Sequence, residues 1–273
     1  MDAIACQIRT MDSDLSEKFI VSACEDSLVR LFTVKNNNME LLAQLSGHKG
    51  IVTQALFIHH GELIASSDFE GKLIIWKLEN SNFVKKTELQ VTKGPIYDIA
   101  ARYSENGSIT VFCGCDNGKL KTVVFDSNLK STVKEEDIHR YGVISVDCNA
   151  EYTVTGGTDC SVGLIRDGEI EHFKHHSGSV NAVAIAPNSQ EQRVLFASAS
   201  EDGTLVFIKK DLQNVKKQEI NIGEPCYDLD WNRTGFVLTV GYGEGNFKSF
   251  IMGENETFEE IPMEKIQKED ETQ

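Results

Sequence analysis

The sequence predicts an all-β chain, a six-bladed β-propeller whose blades are four-stranded antiparallel sheets. A sixfold repeat carries this prediction. Six times an apolar stretch runs into a cluster of small residues, an acidic turn residue and a second β-rich stretch. The turn acids are Asp26, Glu70, Asp116, Asp159, Asp202 and Glu244, separated by 44, 46, 43, 43 and 42 residues. A unit of this length cannot bury its own apolar face and must stack on copies of itself. The second observation is negative: no useful window shows the 3.6-residue apolar period that helical repeats of similar length require. An immunoglobulin-like array would need about twice the period.

The units justify their strands in order. Each opens with a turn and an alternating strand, as in Gly50-Ile51-Val52, Gly94-Pro95-Ile96, Gly142-Val143-Ile144, Gly178-Ser179-Val180 and Glu224-Pro225-Cys226. Units three and six continue alike, as Tyr97-Asp98-Ile99-Ala100 and Tyr227-Asp228-Leu229-Asp230. The second strand ends in small residues, among them Ala65-Ser66-Ser67, Thr155-Gly156-Gly157 and Ala197-Ser198-Ala199-Ser200. Small side chains suit a crowded axis where sheets converge. Glu70-Gly71, Asp116-Asn117-Gly118 and Asp202-Gly203 are hairpin signals leading to a third, apolar strand such as Leu73-Ile74-Ile75-Trp76. A more polar fourth strand, such as Phe83-Val84-Lys85-Lys86-Thr87, closes the unit as a solvent-facing edge.

The stretch Gly47-His48, Leu63-Ile64-Ala65-Ser66-Ser67 and Gly71-Lys72-Leu73-Ile74-Ile75-Trp76 resembles a WD-repeat unit, with weaker echoes at Asp26 to Phe32, Ala197 to Ile208 and Asp228 to Trp231. Elsewhere the family's Trp is replaced by Phe32, Phe125, Ile165, Ile208 and Phe250, and Gly-His occurs once. Most blades must then rely on apolar packing rather than on the family's His–Asp–Trp network. His176, followed by Ser177-Gly178, stands where the family's loop histidine would be.

Both terminal units look complete. Unit one begins at about Ala3 and ends near Leu45; unit six runs from about Pro225 to Ile261 with its own outer strand, Thr257 to Ile261. No blade is then built from both chain ends, and the propeller is expected to be open and completed by a blade from a partner. The propeller is assigned to residues 1–263 and a short, charged, disordered tail to residues 264–273. Six compact blades with little extra sequence resemble the Sec-thirteen type of WD-repeat propeller, shared by the COPII outer coat and the nuclear-pore Y-complex. The likeness is strongest over residues 41–78 and 195–262. It implies an open propeller that an elongated coat or nucleoporin scaffold protein completes by donating a blade.

Composition limits the alternatives. The net charge of −15 disfavours a nucleic-acid partner, since phosphate contacts need clustered Lys and Arg. The amino terminus lacks the pattern of a signal peptide, and no apolar run approaches the ~18–20 residues needed to span a bilayer. Seven cysteines, odd in number and without C-x-x-C pairing, fit a reducing compartment. The expected location is cytoplasmic, at the COPII coat and ER periphery and at the nuclear pore, with membrane contact only through the coat.

The tempting chemical sites read as structure. Gly241-Tyr242-Gly243-Glu244-Gly245 resembles a phosphate loop, but a strand follows it instead of a helix. His59-His60 and His175-His176 are adjacent pairs, which supply at most one ligand per strand face. Cys113 and Cys115 share a face and read as core thiols. Asp98, Asp137 and Asp228 read as turn or blade-stabilising groups. No catalytic, metal or cofactor residues are assigned, and the chain is expected not to be an enzyme. The leading reading is a structural scaffold subunit. Seam-adjacent partner contacts are placed at Ile4, Ala5 and Ile8 of unit one and at Phe247 and Phe250 of unit six. The rivals are a Seh-type nucleoporin propeller, a closed WD-repeat adaptor binding peptides on its top surface, and a propeller enzyme, which would need convergent acid–base or metal groups at the axis.

Overall fold

A computed structural model describes residues 6–35, 38–80, 82–190, 192–212, 214–253 and 255–262. The strands that the repeat predicts are present, in six four-stranded sheets. Blade one is β1 (Ile8–Ser13), β2 (Phe19–Cys24), β3 (Leu28–Lys35) and β4 (Asn38–Ser46). Blade two follows as β5 (Val52–Ile58), β6 (Leu63–Asp68), β7 (Lys72–Glu79) and β8 (Asn82–Gln90). Blade three comprises β9 (Ile96–Tyr103), β10 (Ile109–Cys115), β11 (Lys119–Phe125) and β12 (Ser131–Asp137). β13 (Val143–Cys148), β14 (Thr153–Gly157), β15 (Val162–Arg166) and β16 (Glu169–Phe173) make blade four. Blade five has β17 (Val180–Ile185), β18 (Arg193–Ser200), β19 (Thr204–Asp211) and β20 (Val215–Asn221). Blade six is β21 (Cys226–Trp231), β22 (Val237–Tyr242), β23 (Asn246–Met252) and β24 (Phe258–Glu260).

Every sheet takes its four strands consecutively from the sequence, so β1 and β24 belong to different sheets and no blade is shared between the first and last strands. The first described strand starts at Ile8 rather than near Ala3, and Ile4, Ala5 and the tail assigned to residues 264–273 lie outside the described residues.

The hairpin turns form for the expected reason. Gly71 has φ +78°, and a Cβ there would lie 2.4 Å from the Thr92 carbonyl oxygen and 2.5 Å from that of Gly94. Only glycine combines that conformation with so close a backbone approach. Its carbonyl then accepts the Val91 amide at 2.9 Å, tying the turn to the end of the outer strand. Gly118 and Gly203 repeat the device, accepting from Ile138 at 3.1 Å and Ile222 at 2.8 Å.

The chain divides into two compact units, Met1–Val146 and Asp147–Gln273, with the boundary inside β13. In the first unit, one apolar cluster joins blades one and two through Val21, Leu31, Ile64 and Trp76, and another joins blades two and three through Ile75, Ile96, Val111 and Phe125. In the second, Val154, Leu164, Phe196 and Ile208 join blades four and five, while Leu205, Phe207, Trp231 and Phe250 join blades five and six. The residues standing in for the family's Trp, namely Phe32, Phe125, Ile165, Ile208 and Phe250, are all buried. They keep the position apolar and give up the indole N–H. The outer strands β8, β12 and β20 are mostly exposed, with Lys–Glu pairs such as Lys119–Glu135 at 2.7 Å across the edge.

Candidate partner-docking face on blade six

Polar groups near the turns hold the blades' geometry. In blade two the buried His48 bonds Asp68 through Nδ1 at 2.7 Å and Ser66 Oγ through Nε2 at 2.7 Å, and the Trp76 indole donates to the same Oγ at 2.9 Å. Burial alone would raise the Asp68 carboxyl, but His48 and the amides of Lys72 and Glu70 hold it below its ordinary value. Blade five builds a counterpart that the sequence shows only in part. His176 bonds Thr204 Oγ1 and Ser198 Oγ, both at 2.8 Å, with Asp202 at 3.7 Å, and Ile208 occupies the Trp position. Burial pushes the His176 imidazole down, toward its neutral form. In blade one, Arg30 binds Asp26 through both terminal guanidinium nitrogens.

Gly241 and Tyr242 end β22 and Gly243 to Gly245 turn into β23, and His59-His60 sit in a turn where His59 stacks on Tyr103 at 3.9 Å. Cys113 and Cys115 are fully buried, and burial raises both thiols, Cys115 to about 11. Cys6, Cys24 and Asp26 come within 4.8 Å of one another as potential metal ligands. Arg30 Nη1, however, donates to Cys6 Sγ at 3.1 Å, so a cation is already in the cluster. Burial and Cys24 raise the Cys6 thiol to about 11, away from the thiolate that a metal needs.

Blade six differs from the others in one face. Its side toward blade five is packed: Leu229, Trp231, Leu238, Val240 and Phe250 are buried in the shared cluster. Phe250 and Trp231 lie edge-on to Phe207, and Phe258 stacks on Phe207 at 3.9 Å. The opposite face carries two transverse rows set by the strand register, Asp228–Gly241–Phe247 and Asp230–Thr239–Ser249, followed by Val237–Ile251. Phe247 is 49% exposed and Ile251 43%. Desolvation by the surrounding sheet raises both carboxyls, Asp230 further through its neighbour Asp228, although solvent still reaches each side chain.

Of the residues assigned to the seam, Ile8 is half-buried opposite Cys24 in blade one. Phe247 lies on the open face of blade six. Phe250, three residues further along β23, points the other way and is 1% exposed. An odd spacing along a strand puts two side chains on opposite faces, so period two already separates this pair. The assignment left out Asp228, Asp230 and Ile251, which the register brings onto the face with Phe247.

A family model described as WD domain, G-beta repeat, matches residues 39–77 and 168–208. Among curated proteins, the chain is similar to Protein SEC13 homolog of Drosophila melanogaster, 24% identical over 259 residues that cover 83% of this chain and 72% of that protein. It is similar to Protein transport protein sec13 of Aspergillus fumigatus, 22% identical over 284 residues covering 89% of this chain and 92% of that protein. WD repeat-containing protein 1 of Rattus norvegicus is 28% identical over 227 residues, covering 79% of this chain but 36% of that protein. The likeness to the SEC13 proteins thus runs through most of both partners, and it joins a fold of six four-stranded blades. The chain folds into six four-stranded β-blades, carries two matches to the WD-repeat model and is similar along most of its length to SEC13 proteins.

Proposed function

We propose that this chain is a non-enzymatic scaffold subunit of a COPII-type vesicle coat and/or the nuclear-pore Y-complex. It binds an elongated scaffold partner that adds a blade in trans. One observation carries the reading: blade six is a complete sheet, yet the face opposite its packed side exposes Phe247 and Ile251. A repeat protein normally covers such a face with the next repeat or with a polar cap. The names of the SEC13 relatives, which include protein transport, support the choice of transport assembly. The mechanism is association and stiffening, at the cytoplasmic side of the ER and/or at the nuclear pore. Membrane contact is made only through the coat, and no nucleic acid is contacted. A permanent interface of this kind buries more than ~2,000 Å² and is apolar at its centre.

The test is co-purification with the tagged full chain, followed by recombinant reconstitution and hydrogen exchange. One stoichiometric scaffold protein should be captured, and its binding should slow exchange in β22 and β23. A monodisperse chain with no stoichiometric partner overturns the reading.

A further inference from the structure

The innermost strands of the blades are sheet edges, and alternate amides along each edge have no partner within their own sheet. The molecule satisfies several of them in a repeating way. With residues counted from the start of each inner strand, Asp12 is fifth in β1, and its Oδ2 accepts the amide of Phe57, sixth in β5, at 2.7 Å. Asp147 is fifth in β13, and its Oδ2 accepts the amide of Ile185, sixth in β17, at 2.7 Å. Asp98 is third in β9, and its Oδ2 accepts the amide of Val146, fourth in β13, at 2.8 Å. In each case the carboxylate reaches the following blade and takes the amide one position further along. All three donors are apolar residues. The other oxygen is occupied at home: Asp98 Oδ1 accepts the Ile99 amide at 2.8 Å and Asp147 Oδ1 the Cys148 amide at 2.7 Å.

Blade six carries an aspartate at both positions. Asp228 is third in β21 and Asp230 fifth. Asp228 Oδ1 accepts the Leu229 amide at 2.9 Å, as Asp98 does with Ile99, and Asp230 accepts the Trp231 amide. Among the described residues no second donor reaches either carboxylate. The same two positions in blade five are Ala182 and Ala184, both buried in the cluster with blade six. Blade six therefore presents, side by side, both forms of the carboxylate contact that blades one, three and four use singly.

We infer that Asp228 and Asp230 are a register clamp for the innermost strand of an incoming partner blade, accepting two of its edge amides spaced two residues apart. The occupant is a β-strand with apolar residues at the two donating positions, as Phe57, Val146 and Ile185 are. Those side chains point over Gly241 and Thr239, with Phe247 and Ile251 packing against the rest of the partner's sheet. Alternate amides on one strand edge are the only pair that two carboxylates in this arrangement can take together. A partner strand shifted by one residue would present its carbonyls to them instead, and acceptor would face acceptor. The clamp thus sets register where apolar contact alone would tolerate slippage.

The inference rests on the scaffold reading, and its test uses the stoichiometric partner captured with the full chain, re-bound as a recombinant protein. Asp228→Asn and Asp230→Asn each remove one charged acceptor while keeping the shape. Each should weaken binding about 10-fold, and the pair by about 50-fold or more. The melting temperature of the free chain should not fall. Glu244→Gln removes the same charge from the turn, away from the clamp, and should change affinity less than about 2-fold. Hydrogen exchange on the partner should show two alternate amides of one strand protected by the native chain and released by the double variant. Retained affinity in the double variant, together with loss in Phe247→Glu, overturns the clamp and leaves the scaffold reading standing. Amides of this chain's own first blade found bonded to Asp228 and Asp230 would also overturn it. Failure to capture any stoichiometric partner removes the scaffold reading and the clamp with it.

Discussion

Blades five and six share a strand order and a register, and they differ in what lies against one face. In blade five that face holds Ala182, Ala184, Ala197, Ala199, Leu205 and Phe207, all buried beneath blade six. Register places Gly241 where blade five has Ala199, and therefore Phe247 where it has Leu205. Leu205 is 0% exposed and Phe247 49%. A large apolar side chain is thus kept at a position that solvent reaches, with aspartates at positions that are alanine in the covered blade. The difference teaches that a repeat's chemistry follows what covers it. Small apolar residues serve a permanent neighbour, while carboxylates beside an aromatic suit a surface that solvent reaches.

The largest expected contrast is between these two positions. Leu205→Ala should cost about 2–5 kcal/mol of stability in urea unfolding, since it opens a cavity between two sheets. Phe247→Ala should stay within about 0.5 kcal/mol in the free chain. A loss above ~2 kcal/mol at Phe247 would show that this face is covered in the free chain and would end the comparison.

Acid sensitivity should also divide between the blades. Burial alone would raise Asp202, but the Thr204 hydroxyl at 2.6 Å and the Ser177 amide at 2.6 Å outweigh it and hold the carboxyl far below its ordinary value. A carboxyl whose pKa is depressed by folding adds stability above its unfolded value of ~3.9, and that stability is lost as pH falls toward the folded value. Asp228 and Asp230 are shifted the other way, so their charged forms oppose folding at neutral pH and this cost fades on acidification. Asp202→Ala should cost about 1–3 kcal/mol at pH 7 and progressively less as pH falls below ~3.9 toward the folded value, and unfolding curves at neutral pH and at the lowest pH where the chain stays folded check the sign. Equal losses at both pH values would make the hydrogen-bonded charge irrelevant.

These contrasts also mark what the chain discloses before it is folded. The period and the turns are legible because they are local. Glu70-Gly71 and Asp202-Gly203 name their own hairpins, and Trp76 with His48 announces the polar network of blade two. The counterpart in blade five was visible only as His176, because Thr204 and Ser198 become its partners through register rather than motif. The carboxylate contacts were hidden for a stronger reason. Each joins residues about 40 or more positions apart, and bulges early in several inner strands shift the count along the edge. Asp98 and Asp228 could be read as blade-stabilising groups, but which amide each serves is a property of the stacked blades.

A smaller effect tests the seam between the covered faces. The Trp231 indole donates to the Ala184 carbonyl at 3.2 Å, at the strand position where blade six carries Asp230. Trp231→Phe keeps most of the ring volume and leaves that carbonyl without its indole donor, so it should cost about 1 kcal/mol with partial loss of packing. The unfolding midpoint measures it, and a neutral result would assign the junction of blades five and six to apolar contact alone.

The smallest effect bears most directly on function, because its expected sign is unusual. Asp228→Asn and Asp230→Asn remove one of two neighbouring carboxylates whose charged forms are disfavoured in the fold. In the free chain each should be neutral or stabilising by no more than about 0.5 kcal/mol, since solvent still screens the pair. A purely structural carboxylate, such as Asp98 with its bond to Val146, should lose stability under the same change. If Asp228→Asn destabilised the free chain as much as Asp98→Asn, its second oxygen would already have a donor at home and blade six would need no partner there. A gain or no change, with the melting temperature as readout, means that the isolated protein keeps two like charges together at some cost to itself. Such a cost fits the proposed clamp, in which the charges are used once another strand is seated against them.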